Sequence, residues 1–158
     1  MNLIKNGSFE SGQLPPWTLD LGDEDKIEFS EHHALLLPAS FQITQSIDVA
    51  LVNGLHSVVF KVNARASMVA AAEALKVKCR FRFGVRCLYP DEVAGNIVLF
   101  DASSGMLSFE GQARLIPDKP LNHMDVICSV DGVVPGPDFD LRDIWFTGFE
   151  LMAGPSIP

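Results

Sequence analysis

The chain has 158 residues, 47% of them hydrophobic and 20% charged, a composition that suits one globular domain and excludes a disordered segment. Its 20 acidic residues against 12 Lys and Arg give a formal charge of −8, the wrong sign for a general binder of nucleic-acid backbone. No stretch approaches the ~20 consecutive apolar residues that a membrane-spanning helix needs.

The opening Met1-Asn2-Leu3-Ile4-Lys5-Asn6-Gly7 carries no apolar signal core. The expectation is cytoplasmic synthesis, with a non-classical route if the protein acts outside the cell. Period-two alternation then dominates the chain. Strands are expected over residues 26–30, 34–37, 41–49, 56–63, 75–87, 97–101, 106–113, 125–130 and 143–152. Gly, Pro, Asn and Asp punctuate the gaps, as at Asn53-Gly54, Pro90-Asp91, Ser104-Gly105 and Asp131-Gly132. One short helix is expected over 67–74, where four alanines cluster. Many short strands at this spacing predict an all-β fold, a single antiparallel β-sandwich of jelly-roll type over residues 1–158.

The clearest alternation is Leu75-Lys76-Val77-Lys78-Cys79-Arg80-Phe81-Arg82-Phe83-Gly84-Val85-Arg86-Cys87. Odd positions are apolar and face the core; Lys76, Lys78, Arg80, Arg82 and Arg86 share the other face. These are five of the 12 basic residues. Two readings stand side by side. Acids on neighbouring strands pair with the row, or the row faces a ligand whose hydroxyl, carboxylate or sulfate oxygens meet the Arg forks. Gly84 interrupts the row and is expected to mark a bulge or bend. A second charged group, Asp20, Asp23, Glu24, Asp25, Glu28 and Glu31, reads as a solvated acidic loop and strand face.

The three cysteines, Cys79, Cys87 and Cys128, have no metal-ligand spacing. Cys79 and Cys87 on one strand stand roughly 26 Å apart, too far to bond. All three are expected to be buried free thiols.

The segment Asn2-Leu3-Ile4-Lys5-Asn6-Gly7-Ser8-Phe9-Glu10-Ser11-Gly12, followed by Pro15-Pro16-Trp17-Thr18, resembles the "NLLxNGxFExG…PGW" start of carbohydrate-binding modules with the galactose-binding-like jelly roll. The later Phe41-Gln42-Ile43-Thr44-Gln45-Ser46-Ile47, the run 56–66 and the run 143–151 resemble further strands of that family, so the similarity runs end to end. Phe9 and Trp17 are expected in the core, the indole N–H bonded to backbone.

The resemblance implies a non-catalytic, lectin-like module that binds a glycan on a polar sheet face or loop rim. The ligand residues expected are Arg80, Arg82 and Arg86, with Lys78 further out and Tyr89 as a stacking ring at the rim before Pro90-Asp91. It also implies a structural calcium held by Glu10. Thr147 stands where the family carries its second carboxylate, so Asp143 or Asp140 is the substitute. No catalytic motif is present: His32-His33, His56 and His123 lack a local nucleophile partner, and there is no GxSxG elbow or phosphate loop. The other class is a structural or assembly subunit of a particle surface or toxin complex, self-associating or docking on a protein partner.

Overall fold

The computed structural model describes residues 1–21, 27–29, 35–37, 41–67, 79–102, 107–131 and 143–155. Ten strands follow in chain order. They are β1 (Thr18–Leu21), β2 (Glu28–Phe29), β3 (Leu35–Leu37), β4 (Phe41–Ile47), β5 (Ser57–Ser67), β6 (Cys79–Leu88), β7 (Val93–Ala102), β8 (Leu107–Arg114), β9 (His123–Asp131) and β10 (Asp143–Ala153). A 3-10 turn, Val49–Leu51, is capped by the Asp48 carboxylate, which accepts from the Ala50 N–H.

Two five-stranded sheets form, ordered β1-β4-β9-β6-β7 and β2-β3-β10-β5-β8. Every pair is antiparallel. The inward phases of both sheets meet in one core. Phe81, Phe83, Val85 and Cys87 of β6 and Met124, Val126, Cys128 and Val130 of β9 come from the first sheet; Val58, Phe60, Val62, Phe146, Phe149 and Leu151 come from the second. Phe60 meets Phe83 edge-on at 5.3 Å, and Phe81 meets Phe146 at 4.7 Å, the edge-to-face geometry that aromatic quadrupoles favour. The expected sandwich is therefore the one observed.

The N-terminal segment ties the sheets together. Leu3 N–H donates to Leu151 O and Phe149 N–H to Gly7 O, on β10. Lys5 exchanges two bonds with the buried Gln45 side chain on β4, both 2.8 Å. Trp17 is buried, and its indole N–H donates to Asn6 O at 3.1 Å, as its place in the opening motif suggested. In the tight turn that follows the first residues, Asn6 and Phe9 hold the positive φ values, 54° and 55°. Gly7 is required because a Cβ there would run into Phe149 O.

Three expectations change and one lies beyond the described residues. Thr18–Leu21 is a strand, where none was expected. β7 begins at Val93, four residues before the expected start, because Gly95-Asn96 reads as a turn but is paired with Val85 and Arg86. Gly84 is no bulge: the β6–β7 ladder runs unbroken from Cys79↔Ala102 to Leu88↔Val93. Its missing side chain leaves room for Asn96 O and Ile97 Cα. The expected helix lies outside the described residues apart from Ser67, which ends β5.

Candidate functional site

The outward phase of β6 carries Arg82, Gly84 and Arg86, between β9 and β7. Opposite them on β9 stand Ser129, Ile127 and Asp125; on β7 stand Leu99, Ile97 and Gly95. β4 adds Gln42, Thr44 and Ser46 beyond β9. These residues form one face of the first sheet. Arg82 and Arg86 are both exposed. The expected row is thus real at these two positions. The Arg80 backbone is in register with Asp101 and Asp131. Lys76 and Lys78 lie outside the described residues.

A polar network holds the middle of this face. Asp125 is only 7% exposed although its strand phase faces out. Its Oδ2 accepts from Arg86 Nη2 at 3.0 Å. Its Oδ1 lies 2.6 Å from His123 Nε2 and accepts from Ser46 Oγ at 3.3 Å. A carboxylate only accepts, so the proton in the His123 contact belongs to Nε2. In the neutral ring, Nδ1 then keeps a lone pair. The face so offers guanidinium donors and an imidazole acceptor, the complement of a hydroxyl that both donates and accepts. The pairing of Arg86 with Asp125 is the cross-strand neutralisation that a like-charged row requires.

His123 and Asp125 were not among the expected ligand residues. Their signal is present: His123, Asp125, Ile127 and Ser129 alternate with the buried Met124, Val126, Cys128 and Val130. Ile127 is buried on this outer face beside the bare Gly84. Together they make a low apolar floor between Thr44 and Ile97.

Tyr89 is a correction. The ring expected at the loop rim is buried, 6% exposed, and packs in the core. Its hydroxyl accepts the Ile116 N–H at 2.9 Å, and desolvation raises its pKa. A ring so enclosed offers no plane for stacking. The rim is held instead by Lys119, whose ammonium meets Asp91 at 3.0 Å and Glu92 at 3.2 Å across the β6–β7 turn. That contact, first through its hydrogen bond, lowers the Asp91 pKa.

Cys87 and Cys128 are buried free thiols, as expected. Desolvation pushes Cys87 up to about 11 and Cys128 well above its ordinary value, so neither ionises as a nucleophile near neutrality. Cys79 pairs through its backbone with Ala102.

Glu10 and Asp143 are set apart along the backbone. Glu10 lines a polar hollow of about 500 Å³ with Asn2, Ser8, Gly148 and Glu150. Asp143 begins β10 opposite Ser67, five residues before Gly148, or roughly 16 Å along an extended strand. Asp140 lies outside the described residues. The carboxylate that shares the hollow with Glu10 is Glu150. Among the described residues no cluster of three or more His, Cys, Asp or Glu side chains could hold a metal.

No family model matches the sequence, and no curated protein matches it. Solved structures do match the fold. A family 61 carbohydrate-binding module, solved with β-1,4-galactotriose, superposes with a TM-score of 0.62 at 15% identity, covering 98% of this chain and 99% of its own. A family 16 carbohydrate-binding module gives 0.61 at 12% identity, over 96% and 99%. The enzymatically active domain of bacteriophage CBA120 tailspike protein 4 gives 0.60 at 12% identity, with 96% of this chain matching 21% of that one. The architecture is the β-sandwich of carbohydrate-binding modules.

Proposed function

We propose that this chain is a non-catalytic module that binds a neutral glycan across the outer face of the first sheet. The observation that carries the reading is the Arg86–Asp125–His123 network. It is a fixed set of donors and one acceptor on an open sheet face, next to the exposed Arg82. Preorganised side chains lose little entropy when a ligand arrives. The shared sandwich and the names of the modules that share it support a glycan as that ligand. Since Asp125 neutralises Arg86, the face favours hydroxyls over the carboxylates and sulfates that an unpaired Arg row would attract.

A broad glycan array tests the reading. Binding is expected, and Arg86→Ala should weaken it by at least about 10-fold, the scale of a lost charge-assisted hydrogen bond. Absence of binding to every glycan would end it. Undiminished binding by Arg86→Ala would move the site elsewhere.

A calcium ion belongs in the Glu10–Glu150 hollow on this reading. Two carboxylates and the Ser8 hydroxyl suit a hard, oxygen-seeking cation. The hollow joins the N-terminal segment to β10, so the ion would bind the folded state alone and stabilise it. Calcium is expected to raise the melting temperature and a chelator to lower it. A Glu10→Gln variant should lose that response. Identical melting curves with and without calcium would remove the ion from the account.

A further inference from the structure

Along β7 the outward phase reads Val93, Gly95, Ile97, Leu99. An edge strand facing water ordinarily carries polar or charged side chains there. Here Val93 is 68% exposed, Ile97 45% and Leu99 53%. These are three of the five large hydrophobic side chains that stand exposed among the described residues. Gly95 interrupts the row with a bare backbone at φ 124°. With Arg86 and Asn96 it lines a hollow of about 340 Å³, walled by Val93 and Ile97. This apolar row is continuous with the polar network: Arg86, bound to Asp125, pairs directly with Gly95.

Among the described side chains, aromatics do not supply the apolar half of the face. Phe9, Trp17, Phe60, Phe81, Phe83, Tyr89, Phe146 and Phe149 are all buried. A sugar whose ring carbons are its only apolar surface is best met by an aromatic plane. Aliphatic walls around a bare glycine meet something smaller and rounder, a methyl group, with hydroxyls a few ångströms away on the Arg86 side. Arg86, the cation on that side nearest the hollow, is already paired with Asp125 and asks for no net charge on the ligand.

We infer that the module selects neutral glycans bearing methyl groups, with one methyl seated over Gly95 between Val93 and Ile97 and the adjacent hydroxyls on Arg86 and His123. The inference rests on the glycan reading above and names the class of sugar for the same face. Two common sources of a methyl on a sugar are a 6-deoxy position and an N-acetyl group, and matched probes separate them. One pair is L-fucose against L-galactose, which differ by CH₃ for CH₂OH. The other is chitotetraose against cellotetraose, which differ by N-acetyl for hydroxyl.

Titrations of the full chain, followed by amide shifts in NMR, read weak and strong binding alike and locate the ligand. The methyl-bearing member of at least one pair is expected to bind about 10-fold tighter, the scale of a methyl filling an apolar hollow. Shifts should centre on Gly95, Ile97 and Arg86. Val93 and Ile97 are exposed, so Val93→Thr and Ile97→Asn should fold normally and abolish the preference between members of the pair. Equal affinities within both pairs, with shifts on this face, would overturn the methyl inference and leave the glycan reading standing. A preference that survives Ile97→Asn would also overturn it. Failure of both pairs and of a broad array would remove the glycan reading itself. A concentration-dependent dimer whose shifts cover Val93, Ile97 and Leu99 would assign the row to a second copy of the chain and overturn the inference.

Discussion

Tyr89 and Arg86 sit three residues apart near the end of one strand, and the physics of each places it on a different side of the sheet. The Tyr89 ring is enclosed, and its hydroxyl satisfies the Ile116 N–H, in a segment with no strand partner to do so. Buried polar groups cost free energy when left unpaired, so this bond anchors the chain that leaves β8. Tyr89→Phe removes one hydroxyl and keeps the ring. The expected loss is about 1 kcal/mol or somewhat more, because the Ile116 N–H is left without its acceptor. Urea denaturation would show it as a lower midpoint with an unchanged slope. Glycan affinity should stay as it is, since the hydroxyl faces the interior. A variant that lost affinity but no stability would return Tyr89 to the binding surface. Arg86 differs because its neighbour Asp125 fixes it on the open face. The two roles are distinguished by what each polar atom finds within 3 Å.

The pairing of β6 with β7 shows how an element's backbone shapes a site that side chains then furnish. A Cβ on Gly95 would meet Val85 O and stand 3.2 Å from Arg86 Cα, and the φ of 124° is disfavoured for any other residue. Gly84 is bare for a similar reason, its Cβ direction being filled by Asn96 O. The two strands therefore approach closely only because both positions are glycine. Gly95→Ala is expected to cost more than about 1 kcal/mol, since alanine cannot adopt the native backbone without strain. Its Cβ would press on the β6 backbone under the hollow and push Arg86 out of place. Denaturation and glycan titration of this variant should fall together, and a variant of wild-type stability would mean that the strands part without penalty. Much at this scale was legible beforehand. β6 was plain because its apolar and basic residues alternate without exception up to Gly84, and period two is what a half-buried strand imposes. β7 was legible only in its second half. Its first four residues contain Gly-Asn, ordinarily turn chemistry, and its exposed aliphatics erase the polar half of the alternation. Tertiary pairing with β6 overrides both signals, and one sequence has no means of displaying a partner strand. The same gap hid His123 and Asp125, whose importance comes from Arg86 and Ser46 on two other strands.

At the scale of the molecule, the charge of −8 acquires a location. The acidic group found in the sequence contributes Asp20 and Glu28 to the described residues, and both are exposed. The basic row contributes Arg82 and Arg86 to the opposite part of the first sheet, where β6 adjoins β7. Had that row been unpaired, the module would be polarised and an anionic ligand would be drawn to one end. Asp125 changes the expectation, because it takes the Arg86 guanidinium into a short-range pair. A short hydrogen-bonded pair is screened little by salt, whereas attraction between a net-charged face and a charged ligand decays with the Debye length, about 10 Å at 0.1 M. Binding of a neutral glycan is therefore expected to change little between about 0.05 and 0.5 M sodium chloride, a range over which the screening length shrinks about threefold. An anionic ligand held by Arg82 and Arg86 would instead weaken steeply and continuously over that range. Isothermal titrations at three or four salt concentrations separate the two. A steep loss of affinity would show that Asp125 does not neutralise the face, and that the net negative charge of the chain coexists with a true anion site.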